Sequence, residues 1–598
     1  MRWPLGNFLL FPAAVLFFFS FGSSPASSRP QSAPAPLEAR KPSSSALYAK
    51  GLAAIRSGDL AAARKDFEAA LNANPRSADA HSMLGWVLLQ GGQIKPAISE
   101  LQEAIRLNDA LFEAHISLSN AFIQLRDAPS AVREARAAVK LAPQVAETHH
   151  ALTHALEFSG DLDGATAAIR LAIELDSSHA EYHDDLGSLL VQQQNSDAAI
   201  PEFLEALKSN PDFGPAHFHL GVLYFAQKDF DRAVSELQRA TELTPANSLA
   251  FSYLGSAERE RGHTEAALAA FQTSLRLNPA QPDTYTQLGL LLQRVGRPDE
   301  AIASFREAIR LGPASAEAQN NLGLALLQAG DGDGAIAAFQ AARKLAPDNL
   351  AYQQNLGDAY LQKADFAAAV AAFRAALERD PGNASLHYDL GLALKLQDKL
   401  PEAAAELGKA ESLDPSQPDA PYTLGVTLWQ QGDFEAAARE FRAAIRAKPD
   451  YAEAYYILGS VLKQQGKLPE AADALREALR LEPDFAGAHT TLAAVLRQLG
   501  DTEGAARESR IGSQLAKRQT DRQAALFATN SGRRMRKAGD LDGAISQFRA
   551  ALAATPDYAP AHFELGLALA QQGKKEEARQ EFQRANELDA HFLPPADK

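Results

Sequence analysis

A small residue recurs along this chain at a step of about 34 residues, and few sequence features restrict a fold as tightly as such a period. One slot reads Gly51, Gly85, Ser119, Thr153, Gly187, Gly221, Gly255, Gly289, Gly323, Gly357, Gly391, Gly425, Gly459 and Ala493. Twelve positions later an alanine stands every time, from Ala63 through Ala335 to Ala505. Further on comes a bulky apolar residue such as Phe67, Phe203, Phe305 or Phe441, then another alanine such as Ala70 or Ala206. Most steps close on proline, for example Pro75, Pro143, Pro211, Pro347 and Pro483. These spacings are helical and predict two antiparallel helices per step, with small residues where they cross.

The turn between the two helices is also legible. Gly58-Asp59, Gly432-Asp433 and Gly539-Asp540 offer a glycine for a left-handed helix end and an aspartate to cap the next helix. Proline then ends the second helix, because it lacks an N–H and restricts the residue before it.

The slots glycine, alanine, bulky residue, alanine and proline resemble the tetratricopeptide repeat, over nearly the whole chain from about Ser44 to Ala590. The resemblance implies an all-α, right-handed superhelical solenoid of about sixteen helix-turn-helix units. It also implies that the first helix of each unit lines a concave face, where such proteins bind partners.

Boundaries follow from the repeat and from what interrupts it. Residues 1–26 carry Arg2, an apolar run from Phe8 to Phe21 and small Ser24 and Ala26, which reads as a secretory signal peptide or an N-terminal anchor. Residues 27–43 are a Ser/Pro/Ala linker, expected to be disordered. Fourteen tandem units span 44–517, the last degenerate, since Ser509, Gly512 and Lys517 replace the bulky residue, alanine and proline. A junction or hinge is expected at 518–524, two further units at 525–592 and a tail at 593–598. The chain therefore reads as exported and bacterial, periplasmic or secreted, alternatively held at the inner membrane by its first segment.

Composition excludes several classes of function. With no cysteine there are no disulfides, thiolate nucleophiles or cysteine-based zinc motifs. The formal net charge of -15 opposes nucleic-acid binding, because its field repels phosphates. Membrane contact is expected only through an uncleaved first segment. No P-loop, zinc-protease helix or serine elbow occurs, so no catalytic residue and no cofactor is expected. Gly330-Asp331-Gly332-Asp333-Gly334 partly imitates a dinucleotide fingerprint, and Gly160-Asp161-Leu162-Asp163-Gly164 a calcium loop, but both fall where the inter-helix turn belongs.

Eight of the fourteen histidines, His81, His115, His149, His183, His217, His387, His489 and His562, share one slot and read as packing residues. His150 and His154 fall instead on groove-facing slots, one turn apart as metal ligands often are. They form the one weak metal candidate in a chain otherwise expected to hold no metal.

Partner binding is expected along the first helices. Tyr388, Tyr422 and Tyr456 repeat one slot in three successive units; Lys463, Arg497 and Arg536 repeat another, joined by Arg533 and Lys537. Aromatic and cationic rungs together suit peptides with apolar side chains and carboxylates. Asn321 and Asn355 resemble the ladder with which the superhelices of certain glycosyltransferases hold extended peptide backbones. The family's carboxylate clamp is not matched, since Asn120 is present but Ile116 stands where a lysine belongs. The expected function is a non-catalytic scaffold for proteins or peptides, acidic ones included, in envelope assembly or secretion. The alternative is a module that binds polysaccharide or peptidoglycan.

Overall fold

The computed structural model describes residues 43–593, so the predicted export segment, nearly all of the linker and 594–598 of the tail lie outside the described residues. The described residues form thirty-one α-helices, α1 to α31 in chain order, and no strand. The architecture is an all-α solenoid of helical hairpins.

The first hairpin shows why each forms. α1 (Ser44–Arg56) begins where the Ser43 hydroxyl accepts from the Ala46 N–H, and α2 (Leu60–Ala73) where the Asp59 carboxylate accepts from the Ala62 N–H at 2.8 Å. Between them Gly58 takes φ +78°, a conformation that a side chain would strain. The helices cross at Gly51, where a Cβ would sit 2.6 Å from Phe67 Cε1, so the glycine exists to let the fully buried Phe67 ring in. Burying such a ring contributes about 1.5–3 kcal/mol.

The same turn recurs with one variation. Asp161 and Asp331 each accept from a backbone N–H three residues on, Gly164 and Gly334, at 2.9 Å. The two glycine-aspartate runs are therefore helix caps, as their place in the repeat predicts. Where the turn lacks glycine, Arg126, Gln194, Lys228, Ala364 and Asp398 adopt φ of 59–62° themselves.

The chain divides into two compact units at Pro313/Ala314. Within each, first helices of successive hairpins touch, as α5 (Phe112–Gln124) does α7 (Ala146–Ser159), and α25 (Ala452–Gln464) does α27 (Ala486–Gln498). Successive second helices make no comparable contact among the described residues. Each stack is thus tighter on the side of its first helices, and their outward-facing side chains line its inner face.

Thirty-one helices supply sixteen hairpins because α28 (Thr502–Lys537) serves two, as second helix of the fourteenth and first helix of the fifteenth. The junction expected at 518–524 is instead uninterrupted helix. No glycine or proline lies between Gly512 and Gly532 to break it. Residues 513–524 of this helix contain no buried side chain. Its polar middle runs through solvent between two cores, one ending at Ala505 and one starting at Ala525.

Candidate functional site

In several hairpins the positions three and two residues before the glycine slot of the first helix meet the first helix of the neighbouring hairpin. Four inter-repeat hydrogen bonds join the earlier position of one hairpin to the later position of the next, 35 residues on. They are His150 Nε2 with Asp185 Oδ2 at 2.6 Å, Asp184 Oδ1 with His219 Nδ1 at 2.8 Å, Asn355 Nδ2 to Asn320 Oδ1 at 2.7 Å, and Gln354 Nε2 to Asp389 Oδ2 at 2.7 Å. A second rung of the same offset lies nearer the helix ends, where Gln192 donates to Glu157 and Trp429 to Gln464.

In the first unit these rungs build a titratable cluster on α7, α9 (Ala180–Gln192) and α11 (Gly214–Ala226). The His150 and His154 rings pack at a tilt of 57° with centroids 4.4 Å apart, and His150 leans on Tyr182 at 4.7 Å. Asp185 lies 3.7 Å from His154 Nε2 as well. Burial alone would depress His150, but the hydrogen bond and charge of Asp185 outweigh it and hold the imidazole above its ordinary value. His154 gains no such bond, and burial followed by the neighbouring His150 push it down to about 4. Burial would raise Asp185, yet His154 and His150 win and keep it low. Asp184 goes the other way, raised by burial that His219 only partly offsets.

In the second unit the predicted tyrosine ladder is rooted in the core. Tyr422 stacks on Tyr451 at 5.0 Å and meets the Phe441 ring edge at 5.8 Å, and Tyr456 packs on Phe485 at 4.7 Å. Tyr388, Tyr422 and Tyr456 all remain partly exposed. Burial raises the Tyr422 phenol, and burial with Tyr422 beside it raises Tyr451 to about 12. Both stay neutral hydrogen-bond donors at any physiological pH.

The other predicted residues divide. Asn355 is committed to Asn320, and Asn321 is buried beside it. Arg533 and Arg536 both reach the buried Glu564, Nε to Oε1 at 2.7 Å and a terminal nitrogen to Oε2 at 3.0 Å. Lys463, Arg497 and Lys537 have no ion-pair partner among the described residues, and Arg497 and Lys537 are exposed.

Seven of the slot-sharing histidines do more than pack. His81, His115, His183, His217, His387, His489 and His562 each turn Nδ1 to a glutamate nineteen residues on, in the second helix of the hairpin. Several also bring Nε2 to a carbonyl in the preceding turn, as His387 does to Pro381 at 3.0 Å. His149 keeps the Pro143 carbonyl at 2.9 Å, but Ala168 stands where its glutamate would be.

Asp185, Asp184, His219, Asn320, Gln354, Asp389 and Glu564 are the residues that slot-by-slot comparison misses. A search for polar partners 35 residues apart would have found the first six.

A family model described as tetratricopeptide repeat matches residues 48–112, 185–248, 286–349, 355–418, 422–484, 459–509 and 530–591, more than half the chain. Another, described as TPR repeat, matches 255–296. No curated protein is similar to the chain in sequence. Among solved structures it is similar to the Cut9–Hcn1 hetero-tetramer of the APC/C, at 16% identity and TM-score 0.35, covering 88% of this chain and 96% of that one. YrrB, a TPR protein with an unusual peptide-binding site, aligns at 22% identity and TM-score 0.29 over 31% of this chain and 96% of its own. MamA from Desulfovibrio magneticus RS-1 aligns at 25% identity and TM-score 0.27 over 28% and 96%.

Proposed function

Because the chain belongs to the tetratricopeptide repeat family, we propose that it is a non-catalytic scaffold holding partner proteins or extended peptides against the first helices of its second unit. The observation that carries this reading is the ladder Tyr388, Tyr422 and Tyr456. Each ring in the two later rungs is fixed by aromatic packing yet keeps part of its surface in water. Fixed rings offer contact area with little rotamer entropy left to lose, which is what binding hot spots require.

Lys463 and Arg497 follow further along the same face, with Lys537 one position beside that slot, and these cations, which have no ion-pair partner among the described residues, favour a partner bearing carboxylates. Arg533 and Arg536 contribute less charge, because Glu564 already offsets it. Placement in the envelope is supported by the basic start and apolar run of residues 1–26. Among the described residues no helix is long and apolar enough to cross a membrane.

The test is fluorescence anisotropy with a labelled acidic, aromatic-containing peptide, comparing the full chain with a Tyr388→Ala/Tyr422→Ala/Tyr456→Ala variant. A loss of affinity of at least about tenfold is expected, since truncated hot-spot aromatics each cost about 2 kcal/mol or more. Unchanged affinity, or a melting shift with polysaccharide and none with peptide, sinks the reading. Crosslinking in the native envelope fraction tests the placement, and recovery of the chain from the cytoplasm alone removes it.

A further inference from the structure

We infer that His150, His154 and Asp185 form a binding site for one divalent transition-metal ion of the zinc class. His150 and His154 stand at i and i+4 on α7, so one helical face presents both imidazoles. Asp185 enters from α9, one hairpin further on. The three donor atoms all lie within 4.8 Å of one another. A tetrahedral ion with bonds of about 2.0–2.2 Å needs its donors about 3.3 Å apart. The separations of Asp185 Oδ2 from His150 Nε2 (2.6 Å) and from His154 Nε2 (3.7 Å) straddle that value.

The second observation is His154 itself. Its Nε2 is too far from Asp185 for a hydrogen bond, and its Nδ1 is buried with no partner. The His154 ring is partly exposed and its Nε2, the nitrogen facing Asp185, makes no hydrogen bond, so that nitrogen is free to take an ion. The seven slot-sharing histidines with a glutamate nineteen residues on, by contrast, each commit Nδ1 to it.

The chemistry of the surroundings agrees. Glu147 and Glu181 are near enough for their charges to act on His150 and favour a cation there. Tyr182, with His179 stacked on it at 4.9 Å, walls one side. Two imidazoles and one carboxylate select zinc, nickel, cobalt or copper over calcium or magnesium, which prefer all-oxygen sites. Three ligands leave a position open for water or for a side chain of a bound partner.

The inference stands apart from the scaffold reading, because it concerns the first unit and needs no peptide. Full chain without a polyhistidine tag, stripped with chelator, is titrated with zinc chloride by calorimetry, and with cobalt(II) to follow the visible bands of a low-coordinate ion. One equivalent of zinc is expected to bind. His154→Ala and Asp185→Asn should each weaken it at least about tenfold, while His149→Ala, one residue away, should leave it unchanged. If Asp185→Asn disturbs the fold by circular dichroism, His154→Gln at unchanged helicity replaces it. Absence of saturable one-to-one binding, or binding unaltered in a His150→Ala/His154→Ala variant, overturns the site.

Discussion

Asn355 donates its carboxamide to Asn320 Oδ1 at 2.7 Å, one hairpin away, so two residues with no shared slot form one contact. Alanine at either position should destabilise by about 0.5–1.5 kcal/mol, and the double variant by less than the sum. A double-mutant cycle in urea measures the coupling, and strict additivity would mean that the rung contributes nothing.

Crossing geometry makes a second expectation. A Cβ at Gly187 would lie 2.6 Å from Phe203 Cε1, with the ring fully enclosed. Gly187→Ala should therefore cost about 1–3 kcal/mol despite alanine's better helix propensity. The same change at an exposed first-helix position should stabilise instead, and chemical denaturation of both separates clash from propensity.

Ala364 holds φ at +59° in a turn where other hairpins use glycine. Ala364→Gly should raise stability by about 0.5–1 kcal/mol, since relief of the left-handed strain exceeds the entropy glycine adds to the unfolded chain. A lowered denaturation midpoint would show that the turn is not strained.

Glu564 is buried and accepts from both Arg533 and Arg536. Removing both arginines leaves its charge uncompensated and should cost about 3–5 kcal/mol, whereas charge reversal at exposed Arg497 should stay within about 0.5 kcal/mol. Melting curves of the two variants check this. They also show which basic residues can be altered in a binding assay without damaging the fold.

Acid–base behaviour gives a signed prediction. Burial, and then the charge of Glu411 and a hydrogen bond with it, hold the Glu440 carboxyl up to about 7. The folded form keeps a proton that the unfolded form has released. This contribution to stability is complete below the ordinary glutamate range and is lost as pH rises through about 7. With both groups partly in solvent the change is about 1 kcal/mol. Urea unfolding at about pH 5 and about pH 8 should show it, and Glu440→Gln should flatten it.

Hairpins, crossings and caps were legible in the sequence because each depends on residues at a fixed place in the period: Gly51 against Phe67, Asp59 before Ala62. The groove was less so. Comparing like slots found Tyr388, Tyr422 and Tyr456, but a rung joins unlike slots 35 residues apart. His150 therefore appeared without Asp185; Arg533 appeared without Glu564, which lies 31 residues on and outside that offset. The histidine slot was recognised as structural, but its hydrogen bonds were hidden, because the glutamate partner lies on another helix. The lengthened step after Ala493 signalled a longer second helix followed by a hinge; α28 is that longer helix, and it runs unbroken through the residues where the hinge was expected.

That helix has a thermodynamic meaning. In a linear array each hairpin is stabilised by its neighbour, and unfolding spreads only as far as that coupling reaches. Residues 513–524 hold no buried side chain over about 18 Å of helix, so the array there is joined by covalent bonds and little packing. The hairpins beyond it are therefore expected to unfold as a cooperative block of their own, too short to gain much from the long array before it. The expected consequence is that they open first under heat, denaturant or tension while the preceding repeats remain folded, which amide hydrogen exchange of the two segments checks.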